Sequence, residues 1–182
     1  PALGTGPAQW LARRGVATLS FDFPLHGDRH SPPDTSGLVF YNLLTNPMVT
    51  IYNFHVAAME LLRLSRLSLD FAIDASLSAS LDPGVAADSR IRIDPERLSG
   101  FGHSMGSTLG VPWASVDPRI KGMLLSGAGG MLVEIATSAT EPSDVNGALS
   151  FLSGMGEQRF HRAHPMLHAL QNMWDLVDPV AK

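Results

Sequence analysis

The chain has 182 residues, of which 45% are hydrophobic and 16% charged, and its formal net charge is -4. This is ordinary globular composition for one domain, and without a Lys/Arg cluster beyond scattered pairs such as Arg13 and Arg14 it carries no electrostatic footprint for nucleic acid. The absence of cysteine excludes disulfides and thiolate metal sites but leaves the compartment open, and no apolar run reaches the roughly 18 residues that cross a bilayer, because Glu134 and several glycines interrupt the best stretch, 122–139.

Residues 8–14 read as a short helix closed by Gly15, the residue type usual at a left-handed cap. Residues 16–23 (Val-Ala-Thr-Leu-Ser-Phe-Asp-Phe) are mostly apolar on both parities, which predicts a strand in a parallel sheet covered by helices on each side. Pro24 stops it and begins a polar, Pro-rich loop to about Gly37, and His26 and Gly27 stand where loops at the carboxyl ends of parallel strands gather ligand sites. A hydrogen-bonding role that merely orders the loop suits His26 as well. Between 49 and 69 apolar residues fall at Ile51, Phe54, Ala58, Leu61, Leu62 and Leu69, which predicts an amphipathic helix on a sheet, with Arg63 and Arg66 on its solvated face and His55 packed or at the surface. Residues 76–89, rich in Ser, Ala, Asp, Pro and Gly, read as a loop, and 93–97 as a turn.

The next stretch organises the chain. A short apolar strand, 97–102, leads into Gly102-His103-Ser104-Met105-Gly106, a G-x-S-x-G spacing followed by a helical pattern to about Ala114. This is the pattern of a nucleophile elbow, in which the strand turns abruptly into the helix and the apex serine is strained and exposed. Gly102 and Gly106, lacking Cβ, are expected to let strand and helix approach. The helix start aims free N–H groups at the apex, which makes Ser104 the candidate nucleophile and the Met105 N–H the candidate oxyanion donor. Five-residue matches also arise by chance in Gly- and Ser-rich chains. A phosphate-cradling G-x-G-x-x-G is disfavoured, since the third position after Gly100 and Gly102 falls on Met105, and Asp117, where a ribose partner is wanted, sits in a turn-like Asp-Pro. Residues 117–119 break the helix, 120–126 form the next buried strand, and Gly127 to Gly130 follow in a glycine-rich loop. The tail alternates helical, apolar segments (131–137, 165–174 and a weaker 148–155) with polar turns, and no internal repeat occurs.

The alternation of strand and helix predicts an α/β architecture with a parallel sheet. The chain resembles the α/β-hydrolase superfamily in its serine esterase and lipase branch. The matching residues are 21–27 (Phe-Asp-Phe-Pro-Leu-His-Gly), like the Asp-x-Pro-x-His-Gly loop after the fourth strand, and 93–97 leading to the Ser104 elbow. The resemblance covers about 10–130 and the tail only loosely. It implies an incomplete α/β-hydrolase fold, with 1–130 as a partial core of the fourth to sixth strands and 131–182 as a cap- or lid-like helical segment. The implied activity is hydrolysis of a small-molecule or lipid ester through an acyl-enzyme on Ser104, without cofactor or metal. The tail's Met, Leu, Phe and Trp suit an apolar acyl group and would serve equally as core.

Departures from the family pattern shape further expectations. The triad order is Ser, then Asp or Glu, then His. The tail offers Glu134, Glu141, Asp144, Asp175 and Asp178 with His161, His164 and His168, none after a β-branched strand. The three histidines would share one helix face, yet no carboxylate stands at zincin spacing, so no metal is assigned. Asp144 with His161 is discounted, as both would lie in the lid. The catalytic Asp and His are therefore expected beyond Lys182, and the third strand with the second oxyanion donor at or before residues 3–6, which makes the chain an excerpt that should not fold stably alone because edges flanking a missing strand invite aggregation. An acyltransferase, thioesterase or peptidase on the same scaffold, and a non-catalytic binding module, share these motifs. Oligomeric state and substrate identity are not legible.

Overall fold

The computed structural model describes residues 7–33, 37–42, 45–74, 76, 90–140 and 144–181. Helix α1 (Pro7–Ala12) is short and ends in turns through Gly15, whose φ of 74° is the left-handed conformation anticipated there. After one helical turn, α2 (Leu38–Tyr41), comes the long helix α3 (Pro47–Asp70), which starts on a proline whose missing N–H costs nothing at that position. Strands β1 (Ala72–Asp74) and β2 (Arg90–Arg92) pair antiparallel, Ile73 opposite Ile91. Most of the loop expected over 76–89 lies outside the described residues; the pairing of its two flanks is an addition to the sequence reading. A 3-10 turn (Pro95–Arg97), capped by the Asp94 carboxylate on the Glu96 N–H, launches β3 (Leu98–His103), followed by α4 (Met105–Val116) and β4 (Ile120–Ser126). Strands β3 and β4 are parallel, His103 beside Ser126 at their carboxyl ends, so the predicted strand, helix, strand unit forms. Helices α5 (Leu132–Ser138), α6 (Val145–Leu152) and α7 (Pro165–Trp174) complete a mixed α/β chain, before a last 3-10 turn (Pro179–Ala181).

Two expectations about the sheet are corrected. Residues 16–23 run without a ladder, and 16–20 are exposed: an apolar cavity of about 420 Å³ separates this segment from β3, and among the described residues no neighbouring edge takes its backbone bonds. Leu19 and Phe21 line the cavity on one side, Leu61 and Leu64 of α3 on a second, and Gly100 of β3 with Trp113 of α4 on a third. The sheet is also covered on one face only. Gly100 and Gly102 are the inward positions against α4, whereas Phe101 and its neighbour Leu124 are 55% and 63% exposed.

The core gathers Phe40, Phe54 and Leu109 from α2, α3 and α4 with Leu132, Leu167 and Trp174 of the tail into one cluster. In α3 the buried stripe starts at Ile51 and Phe54 as the periodicity implies, then takes Ala57 in place of the expected Ala58, and Ser65 and Ser68 in place of Leu61, Leu62 and Leu69, which are half-buried. The reason at Ser65 is Asp117, the buried C-cap residue of α4, which accepts from Ser65 Oγ (2.5 Å), Trp113 Nε1 (3.2 Å) and Arg119 Nε (2.7 Å). A buried carboxylate is tolerable when its oxygens are this fully partnered. No described helix is long and apolar enough to cross a membrane.

Candidate active site

Ser104 stands between β3 and α4 with φ 52° and ψ -120°, a region a side-chain-bearing residue occupies only when its surroundings hold it there. What holds it is visible on both sides. Its N–H donates to Ser126 O at 2.9 Å, which continues the parallel ladder by one residue, and its carbonyl accepts from Ser107 N (2.9 Å), Thr108 N (3.2 Å) and Ser107 Oγ (2.6 Å), which starts the helix. Ser104 is exposed and occupies the N-cap position, where a serine ordinarily turns its hydroxyl onto the helix amides, but it makes no such bond. Its Oγ is thus not used by the cap.

The two glycines of the motif differ. A Cβ on Gly102 would lie 2.5 Å from Gly106 O and 2.7 Å from Ser107 Cα, so the helix backbone sits directly on this position. A Cβ on Gly106 would meet nothing closer than Phe23 Cε2 at 4.0 Å. The expected steric need is therefore real at Gly102 and corrected at Gly106, where the close atom is the glycine's carbonyl and not its missing side chain. Met105 is the first residue of α4, so its N–H has no partner within the helix. Its half-buried side chain packs on the core beside Tyr41, and a Cβ on Gly37 would touch its sulfur at 3.5 Å. Burial pushes the Tyr41 hydroxyl up to about 12, which keeps it neutral at ordinary pH.

The loop after residue 23 closes against the elbow at both ends, through Phe23 beside Gly106 and Gly37 beside Met105. Within it Gly27 has φ 58° and rests on the Asp22 carboxylate, where a Cβ would come within 2.4 Å of Oδ2. Arg29 ties the loop to α3 by a two-pronged bond to Glu60, at 2.6 and 2.9 Å. His26 is half-buried and its N–H closes a turn onto Phe23 O at 3.1 Å, so the loop-ordering role is the one its backbone performs.

The described side-chain hydrogen bonds of histidine go elsewhere than Ser104. His103 Nδ1 meets Ser126 Oγ at 3.1 Å, His30 Nδ1 meets Pro32 O at 2.7 Å, and His164 Nδ1 accepts from Met166 N at 3.3 Å. The last corrects the shared helix face of His161, His164 and His168: α7 begins at Pro165, so His164 is its cap and His161 precedes it, with Phe160 and His161 stacked edgewise on the His164 ring. Among the described residues no group of three or more His, Asp or Glu side chains could hold a metal.

The tail's acids are engaged too. Asp144 caps α6 and pairs with Arg159, which with the Gly147 N–H holds its carboxyl below the usual range. Glu134 pairs with Arg162 at 3.1 Å, Asp175 accepts from Gln171, and Asp178 is buried among backbone amides. Glu141 lies outside the described residues. The 420 Å³ cavity reaches Gly106 but is not lined by Ser104, so it runs beneath the elbow and away from the hydroxyl. No protein-family model, curated protein or solved structure matches this chain.

Proposed function

We propose that the chain carries the nucleophile of a serine hydrolase acting on carboxylic esters, on an α/β-hydrolase scaffold in which 1–130 form a partial core and 131–182 a cap-like helical segment. One observation carries the reading: a serine with φ 52° and ψ -120° at the junction of a parallel strand and a helix, its hydroxyl not spent on capping that helix. Nothing in the packing requires a strained serine at that point, since glycine would adopt the same backbone freely.

In the proposed reaction Ser104 Oγ bonds to the ester carbonyl carbon while its proton passes to a histidine base, and the Met105 N–H holds the carbonyl oxygen as charge develops on it. Collapse expels the alcohol, which takes the proton, and leaves an acyl group on Ser104. Water then repeats the sequence and releases the acid. One oxyanion donor of this kind contributes about 3 to 4 kcal/mol of transition-state stabilisation. The base and its orienting acid are assigned to no described residue. Of the tail's thioether and aromatic side chains, Phe160 is buried in the core cluster and Met155 and Met173 pack against it, which is the core use expected of them, so the apolar acyl group is proposed from composition and not from these contacts.

The rival is a binding module that keeps the elbow without the chemistry, and it is favoured by the histidine bonds going elsewhere. Turnover of p-nitrophenyl esters by the full-length protein and its Ser104→Ala variant separates the two. The hydrolase reading predicts turnover that the substitution abolishes; turnover that survives it refutes the assignment, and a wild-type protein without turnover favours the rival. Acyltransferase, thioesterase and peptidase activities share every residue named here and are separated by substrate profiling.

A further inference from the structure

The loop that follows β4 runs beside the nucleophile. Ser126 O accepts the Ser104 N–H at 2.9 Å, and a Cβ on the next residue, Gly127 (φ 60°), would lie 3.8 Å from that same nitrogen. Five residues on, the loop ends in a polar clasp. Met131 N donates to Asp178 Oδ1 (2.9 Å), Leu132 N to Asp178 Oδ2 (2.6 Å) and Val133 N to Gln171 Oε1 (3.1 Å), while Gln171 Nε2 and Val180 N donate to the two Asp178 oxygens at 2.8 and 2.9 Å. Three successive amides at the start of α5 are thus held by two side chains from the end of the chain.

Several features mark this as more than a helix cap. Asp178 is 1% exposed, and the donors to it are amides rather than a cation. Burial raises its carboxyl, but the Gln171, Val180, Leu132 and Met131 hydrogen bonds outweigh that and hold it below the ordinary range. Met131 has φ 53°, one of four described non-glycine residues in the left-handed region with Leu25, Asn42 and Ser104, and such a conformation persists only where neighbouring contacts over-determine it. A Cβ on Gly130 would lie 2.1 Å from Val180 Cγ2, so the turn carrying Asp178 is pressed against the loop.

We propose that Asp178, with Gln171, is a positioning residue for Ser104, acting through the 127–131 loop that the clasp fixes at one end and the Ser104 amide meets at the other. The proposal rests on Ser104 being the nucleophile. Releasing the clasp lets Ser126 and Gly127 drift, and a displacement approaching 1 Å at a nucleophile costs about a hundredfold in rate.

The test uses the full-length protein with Asp178→Asn, which removes acceptor lone pairs at constant size, and Gln171→Ala, which is half-buried and milder. Steady-state kinetics on a p-nitrophenyl ester are read well below each variant's unfolding midpoint, alongside amide hydrogen exchange at 127–133. The expected result for Asp178→Asn is a fall in kcat of about tenfold with KM held within about twofold, and faster exchange at Met131 and Leu132. Gln171→Ala gives about a threefold fall with faster exchange at Val133, and it decides the matter if Asp178→Asn does not fold. An unchanged kcat despite faster exchange, or a fallen kcat without it, overturns the proposal. Turnover that survives Ser104→Ala defeats the nucleophile assignment instead, and the two failures are distinct.

Discussion

Gly102→Ala and Gly106→Ala should move stability in opposite directions although both glycines belong to one five-residue motif. At Gly102 the added Cβ would sit 2.5 Å from Gly106 O, about 0.9 Å short of an ordinary 3.4 Å contact. The crowding atoms are backbone on the α4 side, so no side-chain rotation relieves it, and β3 and α4 must separate. Overpacking of this kind costs about 1 to 3 kcal/mol, and a clash with backbone belongs at the upper end. For a chain of this size that is a fall in Tm of roughly 6–12 °C. Gly106 is the second residue of α4 with its nearest atom 4.0 Å away, so alanine there gains helix propensity of roughly 0.5 to 1 kcal/mol. The assay is urea denaturation followed by the fluorescence of the buried Trp113 and Trp174, comparing midpoints at constant slope. A Gly102→Ala protein within about 0.5 kcal/mol of wild type, or a Gly106→Ala protein equally destabilised, would refute the strand-on-helix contact as the reason for the motif.

Further outcomes follow from the same geometry. Ser104→Gly should stabilise the fold by about 1 kcal/mol by relieving the left-handed serine, whereas Ser104→Ala, equally strained, should leave stability near wild type; equal midpoints for the two would remove the strain argument. Burial raises the Asp117 carboxyl, but the hydrogen bonds of Arg119, Ser65 and Trp113 outweigh it and bring it down to about 2 from 3.8. A lowered folded-state value means stability that is fully present above pH 3.8 and lost as pH falls through about 2, on the order of 2 kcal/mol. Asp117→Asn should flatten that acid limb of the stability curve, and an unchanged limb would show that Asp117 does not carry it. Amides of residues 16–20, which lack a ladder, should exchange far faster than those of β3 and β4, and comparable protection would mean that the segment is paired.

What the sequence disclosed and what it hid divide along one physical line. The β3, α4, β4 unit was legible because its signals are local: apolar runs at 97–102 and 120–126, glycines at fixed spacing, and a helix pattern between them. The tail helices were legible for the same reason, except that the middle one runs Val145–Leu152 and not 148–155, because the Asp144 carboxylate caps it earlier and the chain turns after Leu152. Residues 16–23 have the same apolar character as β4, yet form no ladder, because side-chain pattern reports what suits a strand and not whether a neighbouring edge is there to receive it. The three-residue strands around Ile73 and Ile91 carry too few positions for a period to register. Asp117 and Asp178 look alike in the sequence to any surface carboxylate, and only the fold brings Ser65 and Met131 to them, from 52 and 47 residues away. The backbone of Ser104 was foreseen from the motif; the alternative uses found by His164, Asp144 and Asp178 were not.

Treating the full-length protein with a fluorophosphonate and sequencing the labelled peptide by mass spectrometry addresses the nucleophile most directly. The peptide spanning 98–119 contains Ser99, Ser104, Ser107 and Ser115, so fragment ions locate the adduct. The account predicts a single phosphonyl group on Ser104 and ester turnover lost in step with its formation. Turnover that persists with Ser104 unmodified, or an adduct on another serine that stops it, would contradict the account.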